Sequence, residues 1–274
     1  MLLTFVFYTA METITSFQNP KVKNILLLQE KSRERKRQGV FIVEGEREIL
    51  LALNGGYSIQ SLFVCTQLKP LSKQVEQRLT KECALYNLSK PIFDKLAYRE
   101  NSDGLVAIVE AKRNELNAIQ RSENPLIVVL EAVEKPGNLG AILRTADAAQ
   151  VDAVVVCDPL CDIYNPNVIR SSVGCLFSTP LAVATAEEVL AWLRRKSITI
   201  YAAELQASQW YHKADMSKAC AIVMGTEADG LTDFWIKNAD ARIKIPMRGK
   251  IDSLNVSVST AVLTFEAMRQ RGFK

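Results

Sequence analysis

Two segments, Leu126-Ile127-Val128-Val129-Leu130 and Ala153-Val154-Val155-Val156-Cys157, decide the fold of this chain. Each is a near-continuous apolar run rich in β-branched residues, without the polar alternation of a strand that faces water on one side. They read as parallel strands buried on both faces, and the otherwise apolar helix expected after Asn138 joins them as a βαβ unit. Downstream, a helix over 187–195 and strands over 199–202, 221–224 and 243–245 continue the alternation. An open parallel α/β sheet follows, and sheets of this kind place ligands just past the carboxyl ends of their strands.

Upstream, the pattern describes a smaller layer of the same kind. Asn19-Pro20 opens a helix that carries Lys21, Lys23 and the cluster Lys31, Arg33, Arg35, Lys36 and Arg37, and that ends near Gly39. Strands are predicted over 40–44, 61–65 and 107–110, with a helix over 47–53 stopped by Asn54-Gly55-Gly56 and another over 71–83. Together they make a small α/β/α domain. The polar stretch 112–124 lies between strand signals, which sets the domains at 12–111 and 125–274 with 112–124 as the linker.

Composition narrows the function. With 274 residues and 48% hydrophobic content, the chain can bury one or two cores and has no disorder signature. Its net charge of +4 permits a polyanionic partner without identifying one. On charge patterning alone, the basic cluster is equally a solvated helix face. Cys65, Cys83, Cys157, Cys161, Cys175 and Cys220 form no Cys-x-x-Cys pair, and His212, in a polar stretch, is the only histidine. Ordinary zinc sites and a histidine triad therefore have little to work with; no metal is expected, and a reducing, cytoplasmic setting fits the free thiols. Residues 1–10 are apolar but too short to span a bilayer and lack a basic leader, so neither export nor membrane anchoring is expected. The expected translation start is Met11.

Three loops stand out at strand ends. The run Ile245-Pro246-Met247-Arg248-Gly249-Lys250-Ile251-Asp252-Ser253-Leu254-Asn255 leaves a strand and flows into a helix, with Ser253 and Asn255 both of capping type. That helix opens with Val256, Ser257, Val258, Ser259 and Thr260, all weak helix formers, so local propensity yields there to another demand. Gly137 and Gly140 lie between a strand and a helix, but the full Gly-x-Gly-x-x-Gly spacing of a dinucleotide site is missing. Asn138 fits the N-cap of that helix. Arg144, further along it, offers a planar five-donor fork suited to a phosphate or carboxylate, a plain salt bridge being the other reading. Glu227, between Gly225 and Gly230, is either a turn carboxylate or a site residue.

The Asn138-x-Gly140-x-x-x-Arg144, Gly225-x-Glu227-x-x-Gly230 and Pro246-Met247-x-Gly249-x-x-x-Ser253-Leu254-Asn255-Val256-Ser257 segments resemble, in order, the three signature motifs of the SpoU/TrmH family of RNA ribose 2′-O-methyltransferases, in the SPOUT superfamily. The resemblance implies a catalytic domain threaded as a deep trefoil knot, which strand patterns alone do not show. It implies S-adenosylmethionine as cofactor, met by Met224, Gly225, Thr226, Ile245, Met247, Ser253 and Leu254. It also implies an active site built from Asn138, Arg144, Glu227, Ser253 and Asn255, in which Arg144 either accepts the hydroxyl proton or polarises the hydroxyl and grips phosphate.

The N-terminal part, with Asn19-Pro20-Lys21-Val22-Lys23, the basic cluster and Phe41-Ile42-Val43-Glu44-Gly45, resembles the L30e-like RNA-binding domain of ribosomal-RNA members. On that resemblance 23S ribosomal RNA is the expected substrate and transfer RNA the alternative, with Lys21, Lys23, Lys31, Arg33, Arg35, Lys36 and Arg37 contacting phosphates. Family members are homodimers, and Phe265 and Met268 of the last helix are candidates for that interface. Two readings from other classes compete: an RNA-binding assembly factor that kept the fold but not turnover, and a nicotinamide oxidoreductase, which the missing glycine fingerprint disfavours.

Overall fold

The buried parallel strands read from the apolar runs are present in the computed structural model, which describes residues 11–98, 102–207, 209–226 and 228–273. Glu227 and residues 1–10, on which the expected start at Met11 turns, lie outside the described residues. The chain divides into one unit that runs up to Lys112 and includes Tyr164–Ile169, and a second made of Arg113–Ile163 and Arg170–Lys274.

The first unit contains β1 (Glu12–Ile14), α1 (Pro20–Glu30), α2 (Ser32–Gln38), β2 (Val40–Glu44), α3 (Glu46–Asn54), β3 (Ile59–Val64), α4 (Lys73–Glu76), β4 (Ala84–Leu88), α5 (Lys90–Leu96) and β5 (Leu105–Glu110). Its sheet runs β1-β4-β3-β5-β2, with β5 antiparallel to both neighbours and the other pairs parallel. Val22, Ile25 and Leu28 of α1 share a core with Ile92, Phe93 and Leu96 of α5 against the strands.

Two expectations for this unit need correction. The basic helix is broken at Lys31, which adopts an extended conformation between α1 and α2. The break leaves the last carbonyls of α1 without helical partners, and Arg35 satisfies them: its guanidinium donates to the carbonyls of Leu28 at 2.6 Å and Gln29 at 3.2 Å. The expected helix over 71–83 shrinks to the single turn of α4, and β4 and α5 follow where no element was expected. Thr80, Lys81 and Glu82 spoil the apolar stripe that a longer helix would need, whereas Ser89 and Pro91 start α5 where the chain leaves β4.

The second unit contains β6 (Leu126–Glu131), α6 (Pro136–Ala148), β7 (Ala153–Cys157), α7 (Pro166–Ser171), which begins in the segment counted with the first unit, β8 (Leu181–Ala184), α8 (Ala186–Arg195), β9 (Thr199–Ala203), β10 (Gln209–Trp210), β11 (Cys220–Met224), α9 (Asp233–Asn238), β12 (Ala241–Lys244) and α10 (Val256–Gln270). Its strands form a seven-stranded sheet, β10-β12-β9-β11-β6-β7-β8, in which every pairing is parallel. Ile127, Val129, Ala221 and Val223 share a core with Trp192 of α8 and Trp235 of α9. Side chains alternate along a strand, so Val128 and Ile222 face the opposite layer, where α6 and α10 pack on each other. Burial on both faces is why these strands carry no polar alternation.

Local signals explain the helix ends. Thr185 and Glu188 form a reciprocal capping box at the start of α8, and Arg194 and Arg195 complement its last turn. Asn255 caps α10 as expected, its side chain accepting from the Ser257 N–H. Asn138, expected as the cap of α6, lies inside that helix instead. Pro136 occupies the first helical position, where its missing N–H costs nothing, and Lys135 is the capping residue.

Candidate active site

In sequence order the chain lays β6, β7 and β8 to one side, then returns to place β9 and β11 on the other side of β6. The reversal puts a topological switch point between β6 and β11, the place where open parallel sheets leave a crevice. A cavity of about 80 Å³ lies there, lined by residues that include Glu131, Asn138, Ile142, Gly225, Thr226 and Val256.

The cavity walls follow from the way each strand ends. After Glu131 the chain turns through Ala132, whose φ of 50° is left-handed, and the Ala132 N–H donates to the Cys157 carbonyl at 2.9 Å. A positive φ at a residue with a Cβ is strained, and strain of this kind gathers at functional turns. After Met224 the backbone folds back on itself. A Cβ on Gly225 would lie 2.1 Å from the Gly230 carbonyl carbon and 2.4 Å from the Leu231 nitrogen, so only glycine fits. The Thr226 N–H donates to the Gly230 carbonyl at 2.9 Å, and the Thr226 hydroxyl accepts from the Asp229 N–H at 3.0 Å.

The third wall is the start of α10. Asn255 Oδ1 accepts from the Ser257 N–H at 2.9 Å, and its Nδ2 donates to Asn138 Oδ1 at 3.2 Å. One hydrogen bond thus joins the first and third loops across 117 residues of sequence. Gly140 has a packing reason of its own: a Cβ there would sit 1.9 Å from Ser171 Oγ and 2.7 Å from the Ser172 nitrogen. It lets α6 approach the end of α7; it is not a pyrophosphate glycine.

Of the residues expected at the site, Asn138, Gly225 and Thr226 line the cavity, Asn255 is bonded to its wall, and Met224 ends the strand beneath it. Arg144 is exposed on α6, and no carboxylate pairs with it among the described residues. Ile245, Met247 and Leu254 are half-buried and Ser253 is exposed, all outside the cavity lining. Gly249 has open space around it and no left-handed φ, so the backbone does not require glycine there.

The basic residues of the first unit separate by environment. Lys23, Lys31, Arg33, Lys36 and Arg37 are exposed, with Arg37 paired to Glu34 at 2.7 Å. Lys21 is engaged by Glu12 at 3.4 Å and lies over the Tyr86 ring. Arg35 is only 3% exposed and committed to backbone carbonyls, which removes it from a phosphate-binding face.

Glu131 escaped the sequence reading. It is 5% exposed, lines the cavity, and accepts from the Thr232 hydroxyl at 2.6 Å and the Thr232 N–H at 2.9 Å. The available signal was a carboxylate closing an otherwise apolar strand. His212 lies exposed in a short 3₁₀ turn, as its polar neighbours suggested. All six cysteines are free, and burial, reinforced by the Asp158 and Glu131 carboxylates, pushes the Cys157 thiol well above its ordinary range. No helix among the described residues is long and apolar enough to cross a membrane.

A parallel sheet with a crevice at its switch point, closed by a glycine-tight turn and by an Asn–Asn bond to a helix start, defines an α/β ligand-binding enzyme domain. Residues 125–265 match the SpoU rRNA Methylase family, and residues 19–107 match the MRM3-like substrate binding domain. The chain belongs to the SpoU rRNA methylase family. It is 28% identical to a 23S rRNA (guanosine(2553)-2′-O)-methyltransferase of Bacillus subtilis, over 93% of this chain and 98% of that one. It is 36% identical to a 23S rRNA (guanosine-2′-O-)-methyltransferase of Vibrio cholerae, over 69% of this chain and 78% of that one. The structure of an AdoMet-bound rRNA methyltransferase from Sinorhizobium meliloti superposes with a TM-score of 0.86 at 30% identity, covering 94% of this chain and 98% of the other.

Proposed function

We propose that this chain transfers a methyl group from S-adenosylmethionine to a ribose 2′-hydroxyl of 23S ribosomal RNA. The observation that carries the reading is the Asn138–Asn255 hydrogen bond, which joins the first and third motif-bearing segments at a cavity whose lining also includes Gly225 and Thr226 of the second. The near-full-length similarity to ribosomal-RNA ribose methyltransferases supports it.

The residues present suit the cofactor. Gly225, packed tightly against the backbone of Gly230 and Leu231, closes one wall, Ile142 and Val256 supply apolar surface, and the Glu134 carboxylate on the lining favours a cation. When bound, S-adenosylmethionine supplies an electrophilic methyl to the attacking 2′-oxygen. By their places in the motifs, Met224, Gly225 and Thr226 would hold it from one side, and Ile245, Met247, Ser253 and Leu254 from the loop before α10. Asn138 and Asn255, fixed to one another, orient the ribose, so that positioning contributes much of the acceleration.

Arg144 faces solvent where RNA arrives. Its planar five-donor fork suits it to grip phosphate and to stabilise the 2′-oxygen as the hydroxyl proton passes to solvent. Glu227 belongs to this active centre by its place in the second motif. The exposed cations of α1 and α2 supply sequence-independent phosphate contacts. A homodimer, with α10 at the interface and RNA sites shared between subunits, a cytoplasmic setting and the trefoil path complete the proposal.

The test is transfer of labelled methyl from S-adenosylmethionine to unmodified 23S, 16S and transfer RNA, with nuclease digestion to identify the product. A 2′-O-methylnucleoside from 23S RNA is expected. Label on transfer RNA alone overturns the substrate, and no transfer to any RNA overturns the activity in favour of an RNA-binding factor. Arg144→Ala is expected to bind cofactor normally and lose turnover.

A further inference from the structure

We infer that Glu131 is a positioning residue that latches the Gly225–Leu231 turn to the loop leading into α6, and thereby sets the shape of the cofactor pocket. The inference rests on the methyltransferase reading above. Glu131 is out of place for its residue type. Leu126, Ile127, Val128, Val129 and Leu130 are apolar and buried, yet the next residue, at the carboxyl end of an interior strand of the sheet and only 5% exposed, is a carboxylic acid. Burying such a group is costly unless each oxygen finds a donor. Here both do, and on the same residue: Oε2 accepts from the Thr232 N–H at 2.9 Å and Oε1 from its hydroxyl at 2.6 Å.

Thr232 has given up another role to make these bonds. It stands at the N-cap position of α9, where a threonine hydroxyl ordinarily satisfies a helix N–H, yet it makes no side-chain cap. Its hydroxyl turns to Glu131 instead, across 101 residues of sequence. Its position gives the bond leverage. The turn opens at Gly225, whose backbone presses on Gly230 and Leu231, and Thr232 follows directly, so Glu131 fixes the far stem of the loop that walls the cavity.

The backbone of Glu131 governs the other wall. The left-handed Ala132 comes next, held by its bond to Cys157, and leads through Val133, Glu134 and Lys135 to Asn138. One residue thus starts the first wall with its main chain and grips the second with its side chain. Releasing the grip lets the walls part, which weakens cofactor binding and displaces the ribose-orienting pair, while leaving the RNA-binding helices of the first unit untouched.

Thr232→Val, which removes the hydroxyl at nearly constant volume, Glu131→Gln and Thr232→Ser are compared with the wild type. The readouts are calorimetric titration with S-adenosylmethionine, amide hydrogen exchange over residues 225–232, and kcat and KM for RNA. Thr232→Val, which loses one hydrogen bond to a charged acceptor, and Glu131→Gln, which loses the charge that strengthens both, are expected to weaken cofactor binding about tenfold and to speed exchange in the turn. Thr232→Ser is expected to restore both, and KM for RNA is expected to hold throughout. Wild-type cofactor affinity and wild-type exchange in Thr232→Val and Glu131→Gln, even with a lower Tm, would overturn the latch. If the wild type itself takes up no cofactor, the methyltransferase reading fails, and exchange in the turn alone decides the latch.

Discussion

Asn255 does two jobs with one amide, and substitution separates them. Because Oδ1 accepts from both the N–H and the hydroxyl of Ser257, the amide orientation is fixed and Nδ2 must face Asn138. Asn255→Asp keeps the capping oxygen but removes the donor to Asn138 Oδ1, so the pair can bond again only with the Asn138 amide turned over and its oxygen displaced. We expect it to fold with nearly wild-type stability and to lose methyl transfer about tenfold or more, as expected when a positioning bond fails. Asn255→Ala loses the cap as well, at about 1 kcal/mol of stability. Calorimetry beside single-turnover methyl transfer checks the pair; full turnover in the aspartate variant removes the bridging role. Two glycines make a similar contrast. Gly225→Ala forces a Cβ into the Gly230 backbone and is expected to abolish cofactor binding, whereas Gly137, with nothing within 4 Å, accepts alanine in α6 and gains about 0.5–1 kcal/mol. Cofactor titration and thermal melts of the two variants test this. The motif glycines look alike in sequence, and only the packing around them tells which are obligatory.

At the level of elements, the apolar runs of β6, β7 and β11 were legible because burial on both faces removes every polar position, and the start of α10 was legible because Asn255 is a strong cap. The basic helix was less so. Nothing in the residues around Lys31 marks a break, and the contact that accommodates it, Arg35 on the carbonyls at the end of α1, is not a helix-spacing pair that periodicity could show. Periodicity likewise overextended the helix at 71–83, and it missed β4 just beyond, which is set by pairing with β1 and β3. The break divides the basic residues into two kinds. Arg35→Ala strips charge-assisted bonds from one buried and one partly buried carbonyl and is expected to destabilise the protein by about 2–3 kcal/mol. Lys36→Ala, exposed, is expected to change stability by less than about 0.5 kcal/mol. RNA affinity is expected to report the reverse. Each of Lys23, Lys31, Arg33 and Lys36 replaced by alanine reduces the slope of log affinity against log salt by about 1 if it meets a phosphate. Filter binding across a salt series gives the slopes, and unchanged slopes in all four variants remove α1 and α2 from the RNA surface.

Over the whole molecule, what the sequence conceals is long-range pairing. Strand order in the second unit departs from chain order, the Asn138–Asn255 bond spans 117 residues and the Glu131–Thr232 bond 101, and no local pattern encodes which loop meets which. The last residues of the chain show the same thing. Arg271, just past α10, donates to the carbonyls of Met216 at 2.9 Å and Lys218 at 2.6 Å, and also reaches the Asn124 carbonyl. These carbonyls lie just ahead of β11 and β6, so the guanidinium pins the final helix to the amino ends of the two central strands. The cavity lies at their opposite ends, and α10 runs between the two: its first turn carries Asn255, its last is held by Arg271. A fork of fixed geometry suits several carbonyls at once, as a lysine does not. Arg271→Ala is therefore expected to cost about 2–3 kcal/mol. For a unit of this size that lowers Tm by about 5–10 °C. Arg271→Lys is expected to recover less than half of the loss. Because the tether lies away from the cavity, cofactor affinity of the folded variant at low temperature is expected to stay at the wild-type value. Scanning calorimetry and cofactor titration on the same samples separate the two effects: an unchanged Tm removes the tether, and a weakened cofactor affinity in the fully folded variant shows that the hold at the end of α10 is felt at its start.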